Sequence, residues 1–371
     1  MDEICSYVCD EDPVRASEGS AAWSRRYAVV PGRGATRWLI PVVSSKVTGA
    51  GLVLHPPFRR RSRIALGLAR ASVRLGLVRR LCRTVVVTRS RPPWVERAVS
   101  EIVGIPCVLA FMAGGSLGRA KVVAAAIDES GRLRAFVKLA RTEIRRAAVL
   151  REKDALRHLA GRDVAPAFLG DASEDGACLV AQAPLAGSVG AGSGAAEHAL
   201  LARLRLAVPV PLCTTTWAVE LEAAVSAARV PETGAFQVLS GVVAGTVVRP
   251  AVVHGDLAPW NLRIQAGRAR AIDWEWWNAS GPPLVDAAHH VLQNAFLLEH
   301  ASADAAFDRL VTLVRSSEPD LGQRVAFAVC GLGMVEYLLR RRADGYPDDD
   351  ALARRYRATL VHVLGATAGL S

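Results

Sequence analysis

The sequence predicts an α+β chain: a small antiparallel-sheet unit, then a mostly helical unit, with a further small α+β unit ahead of both. Three observations predict it. Between residues 107 and 139, short apolar runs alternate with glycine-bearing turns, the pattern of an antiparallel meander. From residue 195 onward the periodicity is mostly helical, broken only by brief strand-like pieces. Finally, 371 residues are too many for one ordinary domain, and 51% hydrophobic content is enough to order most of the length.

Residues 1–22 are polar, acidic and rich in serine and glycine, and are expected to be a flexible N-terminus. Residues 23–104 are expected to form a separate α+β domain of unknown role. Its strands are placed at 27–30, 38–41, 51–54 and 85–88, with a helix over 64–81. Residues 105–186 make the sheet unit: strands at 107–112, 121–127 and 134–139, a helix over 143–159 that stops near Gly161, and a strand at 177–182. The glycine-serine stretch 187–194 is expected to be a linker or flexible loop. Residues 187–371 make the helical unit, with strand-like pieces at 252–254, 261–264 and 270–273.

The net charge of +11 suggests a nucleic-acid partner until it is located. Between positions 59 and 91 there are eleven arginines, no lysine and no acidic residue. Removing them from the 46 basic residues leaves as many as the 35 acidic ones, so the excess is local. No specific nucleic-acid partner is implied. Within this segment Ile64, Leu68, Ala71, Leu75 and Val78 fall at helical spacing. One reading docks that stripe on the N-terminal unit; the other attaches the Arg59–Arg91 segment to an anionic membrane or ligand.

Seven cysteines, at Cys5, Cys9, Cys82, Cys107, Cys178, Cys213 and Cys330, form no Cys-x-x-Cys pair. They fit idle thiols in a reducing cytoplasm. The acidic start at Met1 does not look like a secretory leader. The longest apolar stretch, 325–339, is short for a membrane span and contains Glu336, so a cytoplasmic location is expected. Nothing in the sequence sets the oligomeric state.

Chemistry concentrates in the string Val-His-Gly-Asp-Leu-Ala-Pro-Trp-Asn-Leu over residues 253–262, followed by Ala-Ile-Asp-Trp-Glu over 271–275. Asp256 and Asn261 bracket a tight loop containing Pro259. A short hairpin then returns the chain to Asp273, so Asn261 and Asp273 can converge while Asp256 faces the same cleft. An amide oxygen and a carboxylate, with room for water and phosphate oxygens, suit Mg²⁺. Asp256 is then the carboxylate that orients a hydroxyl and accepts its proton.

These two strings together resemble the catalytic and metal loops of the aminoglycoside phosphotransferase family, which includes choline kinases and sugar kinases. The resemblance covers about residues 105–365 and implies a protein-kinase-like two-lobe fold. It also implies ATP, or GTP, as phosphate donor with Mg²⁺, and a small-molecule hydroxyl (sugar, aminoglycoside-like or amino-alcohol) as acceptor. In that pattern Lys138, at the end of the third strand, holds the phosphates and Glu152, on the following helix, fixes Lys138. Lys121 competes but precedes the second strand. Glu143 competes with Glu152 but sits in the first helical turn, where a carboxylate complements the dipole. The turn holding Gly114, Gly115 and Ser116 lacks a strict Gly-x-Gly-x-x-Gly pattern and read alone is a hairpin turn; its position ahead of Lys138 is where the resemblance implies a loop that covers phosphates. Gln182 and Ala183 fall where backbone groups would meet the adenine edge.

Other residues have plainer readings. His254 braces the loop. Asp286 either caps a helix or ties the loop down. His289 and His290 lack spaced partners for a metal site, and Trp274, Trp276 and Trp277 are core and cleft walls. Asp348, Asp349 and Asp350 precede a helix. A protein kinase is the nearest rival. Against it, only thirteen positions separate Asp273 from Asp286, and the loop reads His-Gly-Asp rather than His-Arg-Asp. A catalytically silent nucleotide-binding scaffold or regulator is the reading from another class.

Overall fold

The computed structural model describes residues 23–31, 37–54, 60–114, 121–190, 194–228, 230–317 and 321–369. The chain divides into two units, one of Met1–Arg157 with Pro166–Leu185, the other of His158–Ala165 with Ala186–Ser371.

The first unit is built on one eight-stranded sheet. In chain order its strands are β1 (Trp23–Pro31), β2 (Arg37–Pro41), β3 (Arg83–Arg89), β4 (Val108–Gly114), β5 (Lys121–Ile127), β6 (Leu133–Ala140), β7 (Phe168–Glu174) and β8 (Ala177–Gln182). Their spatial order is β3-β1-β2-β4-β5-β6-β8-β7, and every neighbouring pair is antiparallel. β8, with both neighbours paired, is buried along its whole length, as its continuous apolar run requires. The β5–β6 turn is closed by Asp128. Its Oδ1 accepts from Ser130 Oγ (2.6 Å) and Arg132 N (2.9 Å), while Gly131 takes φ +84°. These donors, with the Arg134 guanidinium, hold the Asp128 carboxyl well below the usual carboxylate range. Asp175 and Gly176, both at positive φ, make the β7–β8 turn.

The separate domain expected over 23–104 is not separate. β2 pairs with β4 (Arg37 with Ala113, Leu39 with Phe111), carrying the sheet through the expected boundary. Tyr27, Leu39, Trp94 and Val99 share one core with Phe111, Val122, Leu139 and Leu179. One apolar cluster is thus built from both segments, so they bury together as parts of one unit.

Two local expectations also change. The strand expected at 51–54 is instead the end of the Ser45–Gly51 helix, whose Ser44 side chain caps Val47 N, and a 3₁₀ turn over Leu52–Leu54. The helix expected over 64–81 runs Arg60–Arg74, breaks at Gly76 (φ +70°) and resumes as Val78–Leu81. Its docked face is not the expected one. Leu66 and Val73, each 7% exposed, pack with Ile40 and Leu52. Ile64, Leu68 and Leu75 stand 58%, 66% and 71% exposed.

The second unit packs helices around Gln323–Ala343. That helix buries Phe327, Val329, Leu332, Val335 and Leu338 against Trp217, Leu239, Leu292, Phe296 and Tyr356. The apolar stretch 325–339 therefore faces protein, and among the described residues no helix is long and apolar enough to cross a membrane. Asp350 Oδ1 accepts from Leu352 N and Ala353 N, capping the Ala351–Gly369 helix.

Short strands thread this unit: β9 (Ser188–Val189), β10 (Val210–Pro211), β11 (Val247–Val248), β12 (Ala251–Val253), β13 (Leu262–Gln265), β14 (Arg268–Ala271) and β15 (Asn278–Gly281). The glycine-serine stretch is thus not all loop, because β9 adds to β13. Glycine permits the approach. At Gly187, with φ +126°, a Cβ would fall 2.5 Å from the Ile264 carbonyl oxygen.

Candidate active site

β12 runs antiparallel to β15 and delivers His254, Gly255 and Asp256 to its C-terminal end. β13 and β14 form a hairpin closed by Ala266 and Gly267, both at positive φ. Asn261 immediately precedes β13, and Asp273 follows β14 by two residues. With Leu262 opposite Ala271 in register, and Ile272 N donating to Asn261 O (2.8 Å), the hairpin places Asn261 beside Ile272, the chain neighbour of Asp273.

Asp256 is held from two sides. Asn261 Nδ2 donates to its carbonyl oxygen (2.9 Å) and to Oδ2 (3.2 Å), while His289 Nε2 lies 3.0 Å from Oδ1. Burial pushes the Asp256 carboxyl up, and the hydrogen bond and charge of His289 outweigh it. The net effect lies below the ordinary carboxylate range, although the nearby Asp273 carboxylate opposes it. Since the Asn261 amide nitrogen is spent on Asp256, its oxygen is the atom left to coordinate a cation. Asp273 sits at φ +71°, a conformation rarely adopted by a non-glycine residue.

The loop carrying these groups is clamped. Asp286, at the start of the Leu284–Gln293 helix, accepts from His254 N (2.6 Å) and Gly255 N (2.9 Å). Of the two readings for Asp286, the structure therefore shows the tie. Burial pushes its carboxyl up, against these two backbone donors. His254 accepts from Asp256 N at Nδ1 (3.2 Å), so the proton on Nε2 is the one that meets the Ile272 carbonyl (2.9 Å). Its ring lies 4.5 Å from that of buried Trp274. Gly255 takes φ +80°, with the Trp276 carbonyl and Arg340 where a Cβ would be. Arg340 donates to Gly255 O (2.7 Å) and Trp276 O (3.2 Å) and pairs with Glu336, which also accepts from Trp217 Nε1 (2.7 Å).

In the first unit, Lys138 on β6 forms an ion pair with Glu152 on the Glu143–His158 helix, both largely buried. Gly114 closes β4 opposite Lys121. Gly115 and Ser116 lie outside the described residues. Gln182 ends β8 between Phe136 and Phe168. It is 7% exposed, and its Oε1 has no hydrogen-bond partner among the described residues. Ala183 N donates to Ala167 O (2.8 Å), so of the backbone groups expected to meet an adenine edge that amide is committed to the fold.

The model of the phosphotransferase enzyme family matches residues 118–313, more than half of the chain. This chain is a member of that family. It has a unit built on an antiparallel sheet and a mostly helical unit, and the segment ahead of residue 118 lies outside the family match. Similar solved structures include a thermostable mutant of an aminoglycoside phosphotransferase in ternary complex with ADP and hygromycin B. It is 15% identical, covering 74% of this chain and 99% of its own, with a TM-score of 0.49. The choline kinase LicA from Streptococcus pneumoniae has the same identity, coverages and score. An aminoglycoside phosphotransferase solved with streptomycin and ATP is 13% identical, covering 72% and 95%, with a TM-score of 0.43. No curated protein matches the sequence.

Sequence reasoning missed His289 and Arg340. Neither belongs to a motif: Arg340 reaches Gly255 across 85 positions, and His289 reaches Asp256 across 33. Among the described residues no three His, Cys, Asp or Glu side chains gather as a metal site. That is compatible with a magnesium site, where one amide oxygen and one carboxylate are completed by phosphate and water oxygens.

Proposed function

We propose that this phosphotransferase moves the γ-phosphate of ATP to a hydroxyl of a small molecule: a sugar, an aminoglycoside-like compound or an amino alcohol. One observation carries the reading. The Asp256 carboxylate is oriented by His289 and Asn261 on a loop tied down through Asp286, with Asp273 beside it. Asp256 positions the acceptor hydroxyl and takes its proton as the oxygen attacks.

Asn261 Oδ1 and the Asp273 carboxylate would hold Mg²⁺, and the amide orientation of Asn261 supports that fit. When bound, the ion neutralises charge on the transferring phosphoryl group. Lys138, anchored by Glu152, carries the α- and β-phosphates. Gln182 Oε1, which has no hydrogen-bond partner among the described residues, would accept from the adenine amine, where guanine presents a carbonyl, so the site favours ATP. Because the transition state is loose, holding these groups in place contributes more than their basicity.

The test is a coupled ATP-consumption assay with Mg²⁺ and a panel of hydroxyl acceptors, with phosphorylated product identified by mass spectrometry. Acceptor-dependent ATP use supports the reading; nucleotide binding with no turnover on any acceptor supports the scaffold instead. Two variants refine it. Lys138→Ala should weaken Mg·ATP binding and lower kcat together, as titration calorimetry and steady-state kinetics would record. His289→Phe removes the group that holds the Asp256 carboxyl low, so that carboxyl rises. The acid limb of the kcat/KM profile should then move to higher pH; an unmoved limb would assign His289 to packing alone.

A further inference from the structure

We infer that the Arg60–Arg74 helix and the turn after it dock on an anionic lipid bilayer. The helix is apolar on two opposite sides. Leu66, Ala69 and Val73 face the fold, with Leu66 and Val73 buried against Ile40 and Leu52. Ile64, Leu68, Ala71 and Leu75 lie within roughly 60° of one another on the far side, at about 100° per residue. All four are exposed, and Leu75 N still donates to Ala71 O, so it continues the helical line. Leu81, past the break, is also exposed at 65%.

Charge selects the occupant. Arg70 and Arg74 flank the outer stripe and are exposed, as are Arg80, Arg83 and Arg91. No acidic residue occurs between positions 59 and 91. A second copy of the chain would set two such cationic faces against each other, which is repulsive. A nucleic acid would satisfy the arginines and leave the leucines against polar surface. An anionic bilayer satisfies both, because acyl chains receive the leucines at the depth where headgroups meet the guanidiniums. The contact lies outside the family match, so it concerns where the enzyme works rather than its chemistry.

The test uses the full-length protein and vesicle flotation. Wild type should float with two-to-one phosphatidylcholine–phosphatidylserine vesicles, less as salt rises, and not with phosphatidylcholine alone. Arg70→Ala with Arg74→Ala should lower partitioning about 30-fold, at about a fivefold loss for each cation. Leu68→Glu with Leu75→Glu should abolish it while the thermal unfolding midpoint stays put, since both side chains are solvent-facing. No flotation with anionic vesicles, equal flotation with neutral ones, or leucine variants that float like wild type would overturn the proposal. So would a wild-type dimer in sedimentation that the leucine variants dissolve, because a second copy would then occupy the face.

Discussion

Asp256→Asn protein should bind nucleotide like wild type and transfer phosphate about 10²–10⁴-fold more slowly, the range a positioned general base contributes. Asparagine keeps the shape, so Asn261 Nδ2 retains an oxygen to meet, and the loop ties at Asp286 are untouched. What is lost is the anionic oxygen that orients and deprotonates the acceptor. Asp273→Ala should fail differently, losing Mg²⁺-dependent nucleotide affinity as well as turnover. Calorimetry with Mg·ADP, alongside steady-state kinetics, separates the two. Wild-type transfer in both variants would remove the catalytic reading.

The second large effect belongs to a residue placed away from the reacting groups. Asp286→Ala should destabilise the protein by about 3 kcal/mol or more, because the His254 and Gly255 amides, at 2.6 and 2.9 Å, lose a charged acceptor in a buried site. Asp286→Asn keeps one carbonyl acceptor but turns an NH₂ group toward the other amide, so it should fall between alanine and wild type. Urea denaturation midpoints order the three proteins. Turnover should fall in the same order, since the loop that carries Asp256 is released. Equal midpoints for all three would mean that the tie is not what fixes the loop.

The local arrangement of the string over residues 253–275 was legible because local geometry converts spacing into proximity. A two-residue hairpin turn at Ala266 and Gly267 sets the register, and the register brings Asn261 beside Ile272, one residue from Asp273. The Lys138–Glu152 ion pair was expected from the family resemblance, which puts a strand lysine ahead of a helix glutamate, and the two side chains do pair. β7 was not foreseen. Its residues Phe-Leu-Gly-Asp-Ala-Ser-Glu carry little apolar alternation, because at the sheet edge only part of the strand needs burial. Backbone groups at Gln182 and Ala183 were expected to meet a ligand, and the carbonyl of Ala167 takes one of them, the Ala183 amide.

The Arg60–Arg74 helix marks the limit most clearly. Periodicity found an apolar stripe at Ile64, Leu68, Ala71, Leu75 and Val78, of which Val78, past the break, does pack inward, and a second stripe at Leu66, Ala69 and Val73 lies on the opposite side of the helix. Only the presence of Ile40 and Leu52 decides which one turns inward. Residue types and short spacings by themselves determined the family, the meander, the helical half and the cluster of oxygen donors, because those depend on neighbours a few positions apart. Tertiary structure alone decided that β1–β3 extend the same sheet, which helix face is left to solvent, and that His289, Asp286 and Arg340 brace the loop. Each of those joins residues tens of positions apart, and such pairings are selected by which surfaces bury together rather than by any local pattern.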